Sequence, residues 1–321
     1  MLKPLVFSLF GLAFLWLALW LFAQRAESRA EAAAPARGQI ITVNGSPMHV
    51  VVTGPKGAPD LVLIHGSNGH TRDMSFALAA KLASDFRIFI IDRPGLGYSA
   101  AITPKGDSLR AQARQIADTA AAMGAEKPIV MGHSYGGSVA LAWATYMPER
   151  IAALVPVAAA SHPWDTPLDP LYRIGSNPVL GPLVLPLLPA LVSESYIERA
   201  LGDIFAPDTV PDGYFDYFVP KLSLRYRSMR ATSFQRANLL AEIKAMAPLY
   251  PALALPVESV HGTKDITVGL SIHAEKLVAD VPHAVLTRAE GHGHMLQHSA
   301  QDMVVAAIHR AAARAGLHPK R

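Results

Sequence analysis

The sequence contains no cysteine among its 321 residues. Without a thiol the chain cannot form a disulfide, use a thiolate nucleophile, bind a metal through sulfur or carry a lipidated-cysteine anchor. Its net charge is also small, since 29 Lys and Arg residues against 25 Asp and Glu residues give +4. The sequence has no internal repeat and no basic stripe interleaved with aromatic residues, so it offers no support for nucleic-acid binding.

Charge is absent from one long N-terminal segment. Residues 4–23 read PLVFSLFGLAFLWLALWLFA, and about 20 uncharged residues suffice to span a bilayer as a helix. Trp16 and Trp20 lie towards one end, where an aromatic belt would sit. We therefore expect a single-pass membrane anchor over residues 1–24, with its orientation open. The alternative is a cleaved signal peptide, which would leave a secreted or periplasmic protein.

The rest of the chain predicts one interrupted α/β core. Residues 25–38 are an Ala- and Pro-containing stretch of mixed charge, typical of a linker. Apolar strand-like runs then alternate with helix-like segments over residues 39–160 and 254–321, which predicts a mostly parallel sheet with helices on both faces. Residues 161–253 break this alternation and are rich in proline, so we expect a helical insertion. It is either a packed unit with its own core, a lid over the site, or both.

A possible nucleophile stands in the stretch Gly132-His133-Ser134-Tyr135-Gly136-Gly137. An apolar strand-like run precedes it and a helix-compatible run follows, and the pattern G-x-S-x-G places Ser134 on a sharp turn with its hydroxyl exposed. The backbone N–H of Tyr135 would then lie at a helix N-terminus, which favours an anion. Taken alone, the pattern also fits an ordinary Gly-rich turn with a surface serine.

A serine hydroxyl needs a general base, and the base needs an orienting group. Asp265 and His294 each follow a predicted strand, so they should meet Ser134 at the carboxyl edge of the sheet. The order Ser, Asp, His suits an elbow serine on such a sheet. Several residues compete for these two roles: His292 and His298 for the base, and Asp280, Glu290 and Asp165 for the orienting acid. Metal binding by the His-rich residues 291–298 is a further alternative, although no acidic or thiol ligands accompany them at a recognisable spacing.

Five motifs occur in a consistent order along the chain: HGSNG (65–69), DRPGLGYS (92–99), GHSYGG (132–137), HGTKD (261–265) and GHGHM (291–295). In these motifs the sequence resembles the α/β-hydrolase superfamily, in the group of serine hydrolases with a cap domain. The resemblance implies an α/β-hydrolase fold with a mostly parallel eight-stranded sheet, and it assigns residues 161–253 to the cap. It also implies Ser134 as nucleophile, Asp265 as acid and His294 as base.

The same resemblance implies an oxyanion hole made of the backbone N–H groups of Ser67 and Tyr135, with His65 and Asp92-Arg93 shaping the loops. A serine at the elbow excludes the branches that use aspartate there, the haloalkane dehalogenases and epoxide hydrolases. We expect an enzyme that cleaves small-molecule carboxylic esters, with a lipophilic acyl group suggested by the apolar cap and the anchor. A carbon–carbon bond hydrolase, a perhydrolase and a non-catalytic ligand-binding protein remain as alternatives. No metal or organic cofactor is expected.

Overall fold

The computed structural model describes residues 2–103 and 107–318, with side chains from residue 10 onwards. This part of the chain contains a single sheet of eight strands, ordered β1-β2-β4-β3-β5-β6-β7-β8. The strands are β1 (Gln39–Val43), β2 (Ser46–Thr53), β3 (Asp60–Ile64), β4 (Arg87–Ile91), β5 (Ile129–His133), β6 (Ala153–Val157), β7 (Glu258–Gly262) and β8 (Val285–Ala289). Strand β2 runs antiparallel to β1 and β4, and the other neighbours are parallel. The predicted mostly parallel eight-stranded sheet is confirmed.

The antiparallel edge begins with a tight hairpin between β1 and β2. Asn44 and Gly45 form its turn with φ of 52° and 77°, and both positive values suit an Asn-Gly pair in a two-residue hairpin. Val43 pairs with Ser46 across the turn. The register of this edge is therefore set by local turn chemistry.

Helices cover both faces of the sheet and also form the insertion after β6. They are α1 (Leu2–Ala33), α2 (Thr71–Ser75), α3 (Leu78–Leu82), α4 (Leu109–Ala122), α5 (Tyr135–Tyr146), α6 (Pro170–Ser176), α7 (Leu180–Val184), α8 (Leu188–Leu191), α9 (Glu194–Phe205), α10 (Tyr214–Phe218), α11 (Tyr226–Met246), α12 (Ala274–Asp280), α13 (Leu296–Ser299) and α14 (Gln301–Arg314). Short 3₁₀ helices occupy Pro148–Arg150, Leu185–Leu187, Pro220–Leu222 and Ala247–Ala252.

Two hydrophobic cores lie on opposite faces of the sheet. Successive residues of a strand point to opposite faces, so Val62 and Ile64 pack with α4 and α5. Leu61 and Leu63 pack instead with α3 and α14. All four side chains are fully buried, which explains why the strands appear in the sequence as continuous apolar runs.

The insertion between β6 and β7 contains helices α6 to α11, and no strand is described within it. The long helix α11 packs against α6. Gly95, in the loop after β4, lies so close to Ala231 of α11 that a Cβ on the glycine would be 2.5 Å from the alanine Cβ. The insertion thus rests directly on a loop at the carboxyl edge of the sheet.

Helix α1 extends beyond the predicted anchor. It continues to Ala33, through most of the predicted linker, because the Ala, Glu and Arg residues of this stretch favour helix. Trp16 Nε1 donates a hydrogen bond of 2.9 Å to Leu183 O, and Glu31 forms a 2.7 Å ion pair with Arg225. The helix is therefore docked on the insertion by specific contacts.

Within the described residues, no single helix is long and apolar enough to cross a membrane. Only the bent pair Pro170–Ser176 and Leu180–Leu191, with an angle of 105° between its parts, reaches the required length and composition. The predicted span covers residues 4–23, and the side chains of residues 4–9 are outside the described part of the structure. The predicted transmembrane anchor therefore finds no support in the structure.

Candidate active site

Ser134 occupies a strained turn between β5 and α5. Its φ of 54° and ψ of −120° lie in a region that non-glycine residues seldom adopt. The turn also needs glycine on both sides. A Cβ on Gly132 would lie 2.2 Å from Gly136 O, and a Cβ on Gly136 would lie 2.4 Å from the carbonyl oxygens of Ile64 and His65. These glycines let the helix start directly against β3, with the serine at the apex.

Asp265 and His294 are in direct contact on the loops after β7 and β8. His294 Nδ1 lies 2.8 Å from Asp265 Oδ2, and both residues are buried. The other carboxylate oxygen accepts the backbone N–H groups of Thr267 at 2.9 Å and Val268 at 2.8 Å. Because the carboxylate accepts from Nδ1–H, the imidazole tautomer keeps Nε2 free to take a proton.

The Asp265 carboxyl is held ionised by its neighbours. Burial alone would raise its pKa, but hydrogen bonds from His261 and His294 outweigh that effect and hold the pKa well below its usual range. His261 Nε2 lies 3.4 Å from Asp265 Oδ2 and donates to Val268 O at 2.7 Å. A negative charge is therefore fixed beside the imidazole at neutral pH, where it stabilises an imidazolium.

The serine turn and the histidine loop touch each other through His133. Its Nε2 donates a 3.0 Å hydrogen bond to His294 O, and the two rings have centroids 4.8 Å apart. Burial, with a smaller contribution from His294, lowers the pKa of His133 to about 3, so this ring is neutral. No hydrogen bond joins Ser134 Oγ to His294 in the described contacts; such bonds often tighten only with substrate bound.

Two backbone donors lie beside the serine. The loop after β3 packs against the turn so closely that a Cβ on Gly66 would lie 3.2 Å from Ser134 Cβ. Ser67 follows in that loop, and Tyr135 is the first residue of α5. Neither backbone N–H has an acceptor among the described residues. Two such free donors beside a serine hydroxyl are suited to stabilise an oxyanion.

Arg93 braces the loop that carries Ser67. Its guanidinium donates to His65 O at 3.1 Å and to Gly66 O at 3.0 Å, and its backbone N–H donates to His65 Nε2 at 3.0 Å. It also lies over the Tyr135 ring, 4.3 Å from the centroid. Burial lowers the pKa of Arg93 to about 10, so it stays charged. His65 and Arg93 thus shape the loop, as the resemblance implies.

Each of the three histidines in residues 291–298 pairs with a different aspartate. His292 Nδ1 lies 2.8 Å from Asp208 Oδ1, and His298 Nε2 lies 2.8 Å from Asp73 Oδ1. Neither of these two histidines contacts Asp265. In the described part of the chain, no group of three or more potential ligands is placed to hold a metal ion.

The competing acids are also separate from His294. Asp280 pairs with His162 at 3.0 Å, whereas Asp165 and Glu290 are exposed on the surface. Of the residues considered from the sequence, only Asp265 and His294 are in contact in the arrangement that a general base requires.

Asp208 was not identified from the sequence. It lies in the insertion between α9 and α10, and its Oδ2 accepts the backbone N–H of Gly293 at 2.8 Å while Oδ1 pairs with His292. The insertion therefore clamps the loop that carries His294. No local motif marks this aspartate, because its role depends on how the insertion docks on the core.

A second buried carboxylate links the insertion to the same loops. Asp73 Oδ1 accepts from Tyr214 Oη at 2.7 Å and from His298 Nε2 at 2.8 Å. Gln297 Nε2 lies 3.3 Å from Asp73 Oδ2 and 3.3 Å from His133 Nδ1. This network runs from α10 of the insertion to the serine turn. The sequence does not predict this network, because its members are far apart along the chain.

Known proteins resemble this chain at several levels. An uncharacterized protein of Mycobacterium tuberculosis is 28% identical over 276 residues, which cover 83% of this chain and 78% of that protein. A pimeloyl-[acyl-carrier protein] methyl ester esterase of Edwardsiella ictaluri is 34% identical over a shorter stretch of 104 residues, 32% of this chain and 38% of that enzyme.

Solved structures share the fold. The crystal structure of a membrane phospholipase A, described as a bacterial virulence factor, superposes with a TM-score of 0.66 at 19% identity and covers 97% of this chain and 99% of that one. The family model of the α/β hydrolase fold matches residues 59–301. With the eight-stranded sheet and the serine turn after β5, this match shows that the chain belongs to the α/β-hydrolase family.

Proposed function

We propose that this protein is a serine hydrolase that cleaves carboxylic esters through an acyl-enzyme. The observation that carries the proposal is the 2.8 Å contact between His294 Nδ1 and Asp265 Oδ2. The loop that carries His294 is also hydrogen-bonded to His133, the residue before Ser134. The elbow supplies the hydroxyl, the pair supplies an oriented base, and two free backbone N–H groups lie alongside. This combination matches the requirements of nucleophilic acyl transfer.

The reaction would proceed in two halves. Ser134 Oγ attacks the ester carbonyl while His294 Nε2 takes its proton, and the backbone N–H groups of Ser67 and Tyr135 stabilise the oxyanion. The protonated His294 then gives its proton to the leaving alcohol, which leaves the acyl group on Ser134. Water, activated by the same imidazole, attacks the acyl carbonyl and releases the acid. The carboxylate of Asp265 orients the imidazole and stabilises its positive charge throughout.

The proposed substrates are esters of lipophilic acids. The insertion presents many apolar side chains, and among the described residues Val179, Leu180, Leu183 and Leu191 are exposed on it. The fold also resembles that of a membrane phospholipase A, and a short stretch of the chain resembles a methyl ester esterase. Apolar side chains on the insertion suit contact with a lipophilic acyl chain.

A chain-length series of p-nitrophenyl esters tests this function on the full chain. We expect turnover that rises from short to medium acyl chains. Ser134→Ala and Asp265→Asn should each lower kcat by about 10⁴-fold. Ser195→Ala, a change at an exposed serine of α9, is the matched control and should leave kcat unchanged. A folded wild-type protein that turns over no ester in the series would contradict the proposal. A vinylogous 1,5-diketone cleaved in preference to every ester would indicate the carbon–carbon hydrolase instead.

We also propose that residues 1–24 hold the full chain at a membrane. The alternative is that these residues are a signal peptide, whose cleavage leaves a secreted or periplasmic protein. Phe10 and Phe14 of α1 are 71% and 74% exposed to solvent, which is costly in water but favourable in lipid. Alkaline carbonate extraction of membranes from cells that express the full chain tests this. The protein should stay with the membrane pellet. Release into the supernatant, or a mature chain that lacks residues 1–24, would refute anchoring.

A further inference from the structure

A cavity of about 110 Å³ lies beneath the segment that joins α1 to β1. Its lining residues include Pro35 and Arg37 of that segment, residues 70–72 at the start of α2, and Tyr217 of α10. Neither Ser134 nor His294 is among the lining residues. The cavity is therefore separate from the candidate active site and lies where core, insertion and N-terminal segment meet.

Arg72 is the buried cation of this cavity. Arg72 is only 7% exposed to solvent, yet no carboxylate pairs with its guanidinium in the described part of the chain. Its Nη1 donates to Tyr217 O at 3.2 Å and its Nη2 to Pro35 O at 3.4 Å. These two bonds leave most of the five guanidinium donors without an acceptor. Buried arginines are normally paired with an anion, so this one lacks its usual partner.

Arg37 brings a second positive charge to the rim. It is exposed, its Nη1 donates to Tyr217 Oη at 3.1 Å, and it too has no carboxylate partner among the described residues. Its guanidinium lies 5.1 Å from the centroid of the Tyr217 ring, and that of Arg72 lies 5.6 Å from the same centroid. Burial and, after it, the charge of Arg37 lower the pKa of Arg72. The two cations thus lie close to the same ring and repel each other.

The acidic residue of the cavity does not neutralise them. Asp92 also lines it, but its oxygens already accept His49 Nδ1 at 2.6 Å and the backbone N–H groups of Thr71 at 2.6 Å and Tyr98 at 2.8 Å. Both ring nitrogens of His49 face groups that can only accept, Nδ1 the Asp92 carboxylate and Nε2 the backbone carbonyl oxygen of Arg37, so the ring carries both protons. The positive charge of His49 therefore balances Asp92, and both arginines remain uncompensated.

His70 adds an unsatisfied polar group. It lines the cavity and is 2% exposed, and its buried Nε2 has no hydrogen-bond partner in the described structure. Burial lowers the pKa of His70 to about 4, so the ring is neutral and one of its nitrogens can donate. A buried polar atom without a protein partner is free to contact a bound ligand or water.

We propose that this cavity binds one small oxyanion, a phosphate or carboxylate group, between Arg37 and Arg72. A cavity needs only about 10–15 Å³ to hold one water, so 110 Å³ accommodates one such group. Planar guanidinium groups are suited to bidentate contact with both kinds of oxyanion. The bound anion joins the N-terminal segment, the core and the insertion, so its binding stabilises the folded chain.

Thermal unfolding of the full-length protein at constant ionic strength tests the proposal, with chloride replaced stepwise by phosphate, acetate or glycerol phosphate. The variants are Arg72→Gln and Arg37→Gln. The matched control is Arg110→Gln, which removes an exposed arginine that also lies over a tyrosine ring, 5.0 Å from the centroid of Tyr146. We expect a saturable rise in Tm of about 2–4 °C for at least one anion. Both cavity variants should weaken its apparent affinity more than tenfold, and the control should not.

The arms of the experiment identify the anion. A response to inorganic phosphate alone indicates a free phosphate, a stronger response to glycerol phosphate indicates a phosphate ester, and a response to acetate alone indicates a carboxylate. The proposal is overturned if no anion raises the Tm, which would mean a water-filled cavity. It is equally overturned if Arg37→Gln responds like the wild type. Arg37 is exposed, so this variant decides the question even if Arg72→Gln fails to fold.

Discussion

Gly136→Ala is the substitution whose effect follows most directly from the geometry of the serine turn. A Cβ at this position would lie 2.4 Å from the carbonyl oxygens of Ile64 and His65, whereas ordinary contact begins at 3.4 Å. Helix α5 and the end of β3 therefore have to separate by about 1 Å. Backbone atoms on both sides make this shift costly, and overpacking of this kind destabilises a fold by about 1–3 kcal/mol.

The same displacement should damage catalysis more than folding. Residues 64–65 lead into the loop of Ser67, and Gly136 follows Tyr135, so separation moves the two backbone donors apart. Misplacement of catalytic groups by about 1 Å costs about 10²-fold in rate. We expect Gly136→Ala to remain folded and to lose about 10²-fold in kcat. The change in KM should be smaller, because in the proposed mechanism these donors act mainly on the oxyanion.

Gly202→Ala provides the matched control, because a Cβ at Gly202 in α9 meets nothing within 4 Å. Here alanine should stabilise the protein by about 0.5–1 kcal/mol, since glycine is the poorer helix former. Urea unfolding gives the free energies, and ester hydrolysis gives kcat and KM. A Gly136→Ala enzyme with wild-type kcat would refute the assignment of this turn to oxyanion stabilisation.

Three further predictions concern residues around the site. Asp208→Ala should lower kcat by about tenfold or more, because it leaves the Gly293 N–H unpaired in the histidine loop; steady-state kinetics check this, with exposed Asp212→Ala unchanged. Arg93→Lys should fail to preserve kcat, because the three donors of an ammonium cannot replace the four hydrogen bonds of the guanidinium to two carbonyl oxygens and two glutamine side chains; near-normal kcat would contradict this. Burial would raise the pKa of Asp73, but the hydrogen bond from His298 holds it below the usual range. In acid the unfolded state therefore binds more protons than the folded state, so the free energy of unfolding falls as the pH drops below about 4. Asp73→Asn should make this free energy depend less on pH, which urea unfolding between pH 6 and pH 3 measures.

The sheet was largely predictable because its signals are local. Strands buried on both faces appear as continuous apolar runs, and the Asn44-Gly45 turn fixes the first hairpin. Helix formation over residues 71–82 is interrupted, so α2 and α3 are two separate helices. Ala77 breaks it with φ of −144°, and Phe76 packs edge-to-face against Tyr214 of the insertion, with ring centroids 5.3 Å apart. This break reflects tertiary packing, which local propensity does not encode.

The candidate site was predictable to the extent that strand ends determine it. Ser134, Asp265 and His294 each follow a parallel strand, so topology alone predicts that they approach one another. Asp208 could not be found in this way. It contacts Gly293 from 85 positions away, through an insertion whose orientation no sequence period specifies. The N-terminal helix shows the same limit, since the pairing of Glu31 with Arg225 depends on docking.

Covalent labelling tests the central claim, that Ser134 is an activated nucleophile, most directly. The full-length protein would be treated with a fluorophosphonate probe, and the modified residue located by peptide mass spectrometry. We expect one adduct, on Ser134. It should be lost in Ser134→Ala and much slower to form in Asp265→Asn. It should be retained in Ser67→Ala, where only a backbone N–H is needed. A folded protein that takes no label, or one whose label persists in Ser134→Ala, would contradict the account.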